Sequence, residues 1–151
     1  MKQLAKFIAL GFGSGMAPIA PGTFGTIVAI PLYLLIQDLA LPIYLGIVAV
    51  TLVIGIWACQ VYSDMLGVHD HNSIVWDEVV GYLITMVLAP PGWQWLLIGF
   101  IAFRFFDIAK PWPINLLDKH VKGGFGIMVD DVLAGVYGLL TVYGLSLYLE
   151  F

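Results

Sequence analysis

Five apolar segments, separated by short polar or turn-forming stretches, dominate the hydropathy pattern of this chain. They cover residues 24–37, 41–61, 79–88, 93–106 and 132–149. Several are shorter than the roughly 20 residues of a full transmembrane helix. Because backbone groups in lipid must satisfy their own hydrogen bonds, we expect helices. The pattern predicts an all-α polytopic membrane bundle of about four to five short transmembrane helices, with an interfacial helix at residues 1–10.

Composition supports a membrane location. The chain is 61% hydrophobic and 11% charged, with a mean hydropathy of +0.98, whereas soluble domains are about half apolar and a quarter charged. Its length fits a single domain over residues 1–151. The net charge is −4 and the six Lys and Arg are dispersed, which excludes a nucleic-acid surface. Cys59 is the single cysteine, so no internal disulfide can form.

The charges indicate an orientation. If the N-terminus is cytoplasmic, five crossings leave all six basic residues on or near the cytoplasmic side, as the positive-inside rule requires. The same topology puts every acidic residue there except Asp38 and Glu150. The sequence Ala89-Pro90-Pro91-Gly92 predicts a tight turn, so the third and fourth segments should form an antiparallel hairpin.

Two pairs of adjacent acids are the first candidate site, and we expect each pair at the start of an apolar helix. The pairs are Asp77 with Glu78 and Asp130 with Asp131. Helix capping explains one carboxylate per helix, but adjacent pairs on two helices favour a metal site. Carboxylate oxygens suit Mg²⁺. Gly81 and Gly135 each follow an acid by four residues and should let the two helices approach closely.

Arg104, Asp107 and Lys110 recur at intervals of three residues, so they should lie along one side of a helix. One interpretation is a surface ladder in which Asp107 pairs with its neighbours. The other is a substrate-binding phosphate clamp, with Arg104 as a fork and Lys110 as a point charge. Nearby carboxylates favour the clamp.

Three further polar residues are weaker candidates. Ser14 and Thr23 lie in glycine-rich turns before a helix, where backbone N–H groups can receive an anion. Both are therefore candidates for substrate binding, and Ser14 is also a minor candidate for a nucleophile. His71 is a candidate acid or base, although its stretch, His69-Asp70-His71-Asn72, is also typical of a solvated loop.

Taken together, four polar blocks resemble the phosphatidylglycerophosphatase A family. They are GFGSGMAPIAPGTFGT (residues 11–26), VHDHNSIVWDEVVG (68–81), FRFFDIAKPWPI (103–114) and GGFGIMVDDVLAG (123–135). The resemblance implies Mg²⁺-dependent hydrolysis of phosphatidylglycerophosphate to phosphatidylglycerol and phosphate. It also implies a multi-pass protein of the bacterial inner membrane with its active site facing the cytoplasm.

The resemblance assigns residues as well. The family's motif acids fall on Asp77, Glu78, Asp107, Asp130 and Asp131, and its basic positions on Arg104 and Lys110. Asn115 is a departure, because many members have Arg at this position.

These assignments give a mechanism and two rivals. Asp77, Glu78, Asp130 and Asp131 would hold Mg²⁺. Water activated by the metal, by a carboxylate or by His71 would then attack the phosphorus in line. A small cation transporter using the same carboxylates is the main alternative, although the acids lie towards one interface and no internal repeat is evident. A non-catalytic membrane subunit is a further alternative.

Overall fold

The structure, a computed structural model, describes residues 1–150 and contains seven α-helices and no strand over that range. Phe151, the last residue of the predicted domain, lies outside the described residues. A 3-10 turn covers Ser14–Met16. The helices are α1 (Lys2–Ala9), α2 (Pro21–Ile36), α3 (Leu41–Leu66), α4 (Trp76–Thr85), α5 (Trp93–Ala109), α6 (Ile114–His120) and α7 (Gly123–Ser146). The all-α prediction is confirmed.

Each apolar segment predicted from the sequence falls largely within one helix, but α7 begins earlier than expected. Its first residue is Gly123 rather than Val132. The glycines at the start of α7 pack directly against α3. The Gly124 N–H donates a hydrogen bond to Oε1 of Gln60, a residue of α3, at 2.7 Å. A Cβ on Gly124 would collide with the Ile56 carbonyl oxygen of α3. Close contact with α3 therefore requires these glycines.

Among residues 1–150, two helices are long and apolar enough to cross a membrane, α3 and α7. α3 has 26 residues with a mean hydropathy of 2.2, and α7 has 24 with a mean hydropathy of 1.6. α2 is apolar but shorter. Large apolar side chains also face outward, among them Val53 on α3, Leu35 on α2 and Ile101 on α5. This surface suits lipid better than water.

α7 lies at the centre of the bundle and packs against α3, α4, α5 and α6. α1 packs on α3, and α2 packs on α4. α4 is short but almost entirely buried, with Val79, Val80, Tyr82 and Leu83 all at most 2% exposed. The core therefore forms around the contact between α4 and α7.

Glycines permit this contact. A Cβ on Gly135 would lie 2.6 Å from the carbonyl oxygen of Gly81, and one on Gly81 would collide with the ring of Phe103. The Thr85 hydroxyl donates to the carbonyl oxygens of Gly81, at 3.0 Å, and Gly135, at 3.2 Å. The prediction that Gly81 and Gly135 allow close helix packing is confirmed.

The start of α4 is fixed by hydrogen bonds to two other helices. The Val75 N–H donates to the Ala9 carbonyl at the end of α1, at 2.9 Å. The Trp76 indole N–H donates to the Thr51 carbonyl of α3, at 3.0 Å. These bonds position Asp77 and Glu78, the next two residues of the chain.

α4 and α5 form the predicted antiparallel hairpin. The Tyr82 hydroxyl donates to the Leu96 carbonyl at 3.0 Å, Gly81 faces Phe103, and Gly99 faces Met86. α4 ends at Thr85, three residues before the end of the predicted segment, and the connection to α5 contains Pro90 and Pro91, which cannot continue a helix.

Replacing Gly135 with alanine should destabilise the bundle. The added methyl group must displace the Gly81 backbone, and such overpacking costs about 1–3 kcal/mol. Gly144, on the same helix, is the matched control, because a Cβ at Gly144 would meet no other atom within 4 Å. We expect Gly135→Ala to lower the midpoint of thermal unfolding in detergent and Gly144→Ala to leave it unchanged or higher. Equal midpoints for the two variants would refute the close-packing role.

Candidate active site

A polar cavity of about 270 Å³ opens where several helix ends meet. It is bounded by the start of α2, the loop before α4, the start of α4, the end of α5 and the third turn of α7. Its lining comprises Ala20, Pro21, Gly22, Asp70, Asn72, Ile74, Asp77, Glu78, Arg104, Asp107, Ile108, Lys110, Asp130 and Asp131. The two acid pairs and the predicted clamp therefore reach a single site.

Three carboxylates form a tight cluster in this cavity. One oxygen from each of Asp77, Glu78 and Asp131 lies within 4.8 Å of the others. Asp77 is 7% exposed and Asp131 3% exposed. One oxygen of each of the three is buried without a hydrogen-bond partner among the described residues. Three carboxylates held together away from water cannot all stay negatively charged unless a cation joins them; otherwise protons must neutralise part of the charge.

Asp130 and Asp131 lie about two turns inside α7, and this differs from the expected helix start. Capping therefore does not explain them. Successive helical residues point in different directions, and these two separate accordingly. Asp131 joins the carboxylate cluster, whereas Asp130 Oδ2 accepts a hydrogen bond from Lys110 Nζ at 2.9 Å.

Lys110 is held between two carboxylates. It ends α5 in a left-handed conformation, with φ of 42°, which turns the chain towards α6. Its ammonium also donates to Asp118 of α6 at 2.6 Å. Burial lowers the pKa of Lys110, but the hydrogen bonds to Asp118 and Asp130 outweigh it and leave the pKa above its ordinary value. The hydrogen bond from Lys110 in turn lowers the pKa of Asp118.

Arg104 is the second cation of the cavity. Its side chain is 16% exposed and lies 3.6 Å from Glu78 Oε1, and it donates a hydrogen bond to Asp107. Arg104 and Asp107 are thus shielded inside the cavity, unlike the residues of a solvated surface ladder. Asp107 and Glu78, which itself belongs to the acidic cluster, together hold the Arg104 guanidinium beside that cluster.

The donor set fits a hard divalent cation. Carboxylate oxygens are the ligands that Mg²⁺ prefers, and this ion often binds alongside a phosphate group. The cluster of Asp77, Glu78 and Asp131 supplies such ligands, and each of these residues has an oxygen without a hydrogen-bond partner among the described residues. Asp130 Oδ1 is also buried without a partner among the described residues, but Asp130, the fourth predicted ligand, is not part of the three-carboxylate cluster.

Three weaker candidates lie outside the cavity lining. His71 is exposed, and its Nδ1 lies 2.8 Å from the Ser73 hydroxyl. The Ser14 hydroxyl donates to the Leu10 carbonyl at 3.4 Å. Thr23 is next to the cavity residue Gly22 but does not line the cavity. The structure therefore does not bring these three to the acidic cluster.

Gly22 and Asp118 are among the contributors to the site that sequence reasoning missed. Gly22 forms a wall, where a Cβ would collide with Glu78 Oε1 and lie 3.0 Å from an Arg104 nitrogen. Its position after a proline at a helix start was the available signal. Asp118 supports Lys110 from outside the cavity, and no spacing in the sequence indicates that contact.

The fold and site define a class of protein. It is an all-helical protein of membrane type, whose acidic cavity carries two basic side chains of the kind that bind phosphate. The profile of the family described as "Phosphatidylglycerophosphatase A" matches residues 7–146. The chain belongs to the phosphatidylglycerophosphatase A family, as the sequence motifs predicted.

Two bacterial relatives carry the same name. The chain is 46% identical over 137 residues to phosphatidylglycerophosphatase A of Escherichia coli (strain K12), covering 90% of this chain and 80% of that protein. It is 44% identical over 144 residues to phosphatidylglycerophosphatase A of Haemophilus influenzae, covering 94% and 88% respectively. No solved structure shows significant similarity to the chain.

Millimolar Mg²⁺ should stabilise the purified protein, because a ligand that binds only the folded state raises its stability. At 100 times the Kd the gain is about 2.7 kcal/mol, or an increase of about 5–10 °C in Tm. Asp131→Asn should abolish this increase. Without the metal, this variant should be at least as stable as the unmodified protein, because one repelling charge is gone.

Asp38→Asn is the control, since Asp38 is exposed in the turn between α2 and α3. It should keep the full increase in Tm. A full increase in the Asp131→Asn protein would contradict the metal site, and so would no increase in the unmodified protein.

Proposed function

We propose that this chain hydrolyses phosphatidylglycerophosphate, releasing phosphate and leaving phosphatidylglycerol in the membrane. The observation that carries the proposal is the meeting of Arg104 and Lys110 with the carboxylate cluster in one cavity of a phosphatidylglycerophosphatase A family member. The two relatives named above bear this activity in their names.

Arg104 and Lys110 bind the terminal phosphate in this proposal. Both cations line the cavity, and carboxylates already fix their positions. A guanidinium can offer two parallel N–H donors to phosphate oxygens, whereas the ammonium acts as a point charge. Asp107 holds the guanidinium in place through its hydrogen bond with Arg104.

Asp77, Glu78 and Asp131 are the proposed ligands of Mg²⁺, with the remaining oxygen of Asp130 as a further ligand. When bound, Mg²⁺ would neutralise negative charge on the phosphate oxygens in the transition state. Without a cation, these carboxylates would repel the phosphate. In this proposal Mg²⁺ therefore allows the carboxylates and the phosphate, which are both negatively charged, to occupy the same cavity.

The chemical step is attack by water on phosphorus. The new bond joins the water oxygen to phosphorus, and the bond between phosphorus and the glycerol oxygen breaks with its electron pair on the glycerol oxygen. A carboxylate of the cavity accepts a proton from the attacking water, and the carboxyl group so formed returns a proton to the glycerol oxygen as it leaves. Ser14 and His71 have no part in this proposal, because neither lines the cavity.

A location in the bacterial inner membrane, with the cavity facing the cytoplasm, follows from the same reasoning. A phospholipid keeps its phosphate at the headgroup level, so the site must lie at one membrane face. In the predicted topology all six basic residues lie on or near the same side of the membrane as the cavity, and the positive-inside rule makes that side cytoplasmic. We propose four to five crossings, formed by α2, α3, α5 and α7 with the short α4 as the fifth.

The structure favours a phosphatase over a cation transporter. Arg104 and Lys110 line the same cavity as the acids, and a pathway for cations needs no such fixed basic side chains. A phosphate group, by contrast, is attracted by both basic side chains. No observation favours transport.

Purified protein in detergent should release phosphate from phosphatidylglycerophosphate in the presence of Mg²⁺. Removing the metal with EDTA should abolish the release, and adding Mg²⁺ in excess should restore it. Phosphatidic acid, another lipid phosphate monoester, serves as the comparison substrate. Absence of phosphate release from phosphatidylglycerophosphate by folded protein would overturn the proposal.

Arg104→Lys should retain only part of the activity, because one ammonium cannot contact Glu78, Asp107 and the phosphate as the guanidinium does. We expect kcat/KM to fall by about tenfold to a hundredfold, equal to about 1.4–2.8 kcal/mol of transition-state binding. Arg104→Ala should lose more. Unmodified kinetics in the Arg104→Lys protein would mean that the guanidinium geometry is unimportant.

A further inference from the structure

An apolar groove of about 300 Å³ lies between α2 and α5, beyond the polar cavity. It is lined by Ile27, Ile30, Trp93, Leu96, Leu97 and Phe100. α2 and α5 pack little against each other, so the cleft between them stays open. Several of its side chains are exposed, with Trp93 70%, Leu97 52% and Ile27 45% exposed.

The groove and the polar cavity share one face of α5. Trp93, Leu97, Phe100 and Arg104 follow at intervals of four, three and four residues, which places them in one row along the helix. Ile108, four residues further, lines the polar cavity with Arg104. A single helix face therefore runs from an apolar groove to the proposed phosphate-binding side chain.

The second wall has the same polarity. On α2, Gly22 lines the polar cavity at the helix start, while Ile27 and Ile30 line the groove one to two turns later. Both walls thus change from polar to apolar in the same direction. A ligand that follows this path has a charged end at Arg104 and an apolar end near Leu97, about 10 Å along α5.

We propose that this groove binds one acyl chain of the lipid phosphate substrate while the phosphate lies at Arg104. The proposal rests on the proposed function, since it assumes that the cavity receives a lipid headgroup. Bilayer lipid is as apolar as the groove, so the groove supplies little hydrophobic driving force. Its contribution is to position the lipid, because a displacement of about 1 Å at the reacting atoms can cost about a hundredfold in rate.

A second apolar groove provides the control. It lies between α5 and α7, has a volume of about 440 Å³, and includes Ile101 and Phe105. It is larger, but neither Arg104 nor any other charged residue lines it. Ile101 is 59% exposed, close to the value for Leu97, and lies on the same helix.

The test fills each groove with an indole. Leu97→Trp and Ile27→Trp fill the α2–α5 groove from opposite walls, and Ile101→Trp fills the control groove. Each protein is assayed in mixed detergent micelles with dioleoyl and dihexanoyl phosphatidylglycerophosphate. We expect the groove-filling variants to lose about tenfold or more in kcat/KM for the dioleoyl substrate and less than about twofold for the dihexanoyl substrate. Ile101→Trp should change neither value by more than about twofold.

Two results would contradict the proposal that the α2–α5 groove binds an acyl chain. Equal losses in Leu97→Trp and Ile101→Trp with the dioleoyl substrate would show a general effect of the lipid-facing surface. Equal losses with both substrates in Leu97→Trp would show disturbance of the headgroup site. If the unmodified protein releases phosphate from neither substrate, the proposed function itself is wrong, and the assigned occupant of the groove is wrong with it.

Discussion

The contact between α4 and α7 determines where the acidic groups of this protein lie. Gly81 and Gly135 remove the side chains that would keep these helices apart. Asp77 and Asp131 each precede one of these glycines by four residues, about one helical turn. Close backbone contact at the glycines therefore carries the two acids towards each other one turn away. The carboxylate cluster is a direct result of helix packing.

Charge balance imposes a second constraint on the same region. An apolar bundle that buries several carboxylates needs cations to compensate them. Arg104 contacts Glu78 and Asp107, while Lys110 contacts Asp118 and Asp130. The cluster of Asp77, Glu78 and Asp131 keeps oxygens that no side chain satisfies among the described residues. The basic side chains of the protein thus compensate only part of its buried acidic groups.

The sequence did not predict the short α6 or the early start of α7. It was sufficient to predict the other helices and the convergence of the main charged residues, because hydrophobic length and turn residues indicate both. It was insufficient where a contact depends on distant parts of the chain. The glycine-rich start of α7 resembles a loop until Ile56 and Gln60 of α3 are placed against it. His71 and Ser14 were reasonable candidates by residue type, but their hydrogen bonds stay within their own loops. Asp118 belongs to a short helix, and its distance to Lys110 follows only from the turn after α5.

The central position of α7 has a consequence for the order of folding. The ribosome delivers this helix after the six helices that surround or support it. Until α7 arrives, the glycine face of α4 lacks its partner, and Asp77 and Glu78 lack the neighbouring Asp131. Long-range contacts of this kind form late, because the intervening chain must first be arranged. Nascent protein therefore acquires its complete acidic cavity only when the whole bundle closes.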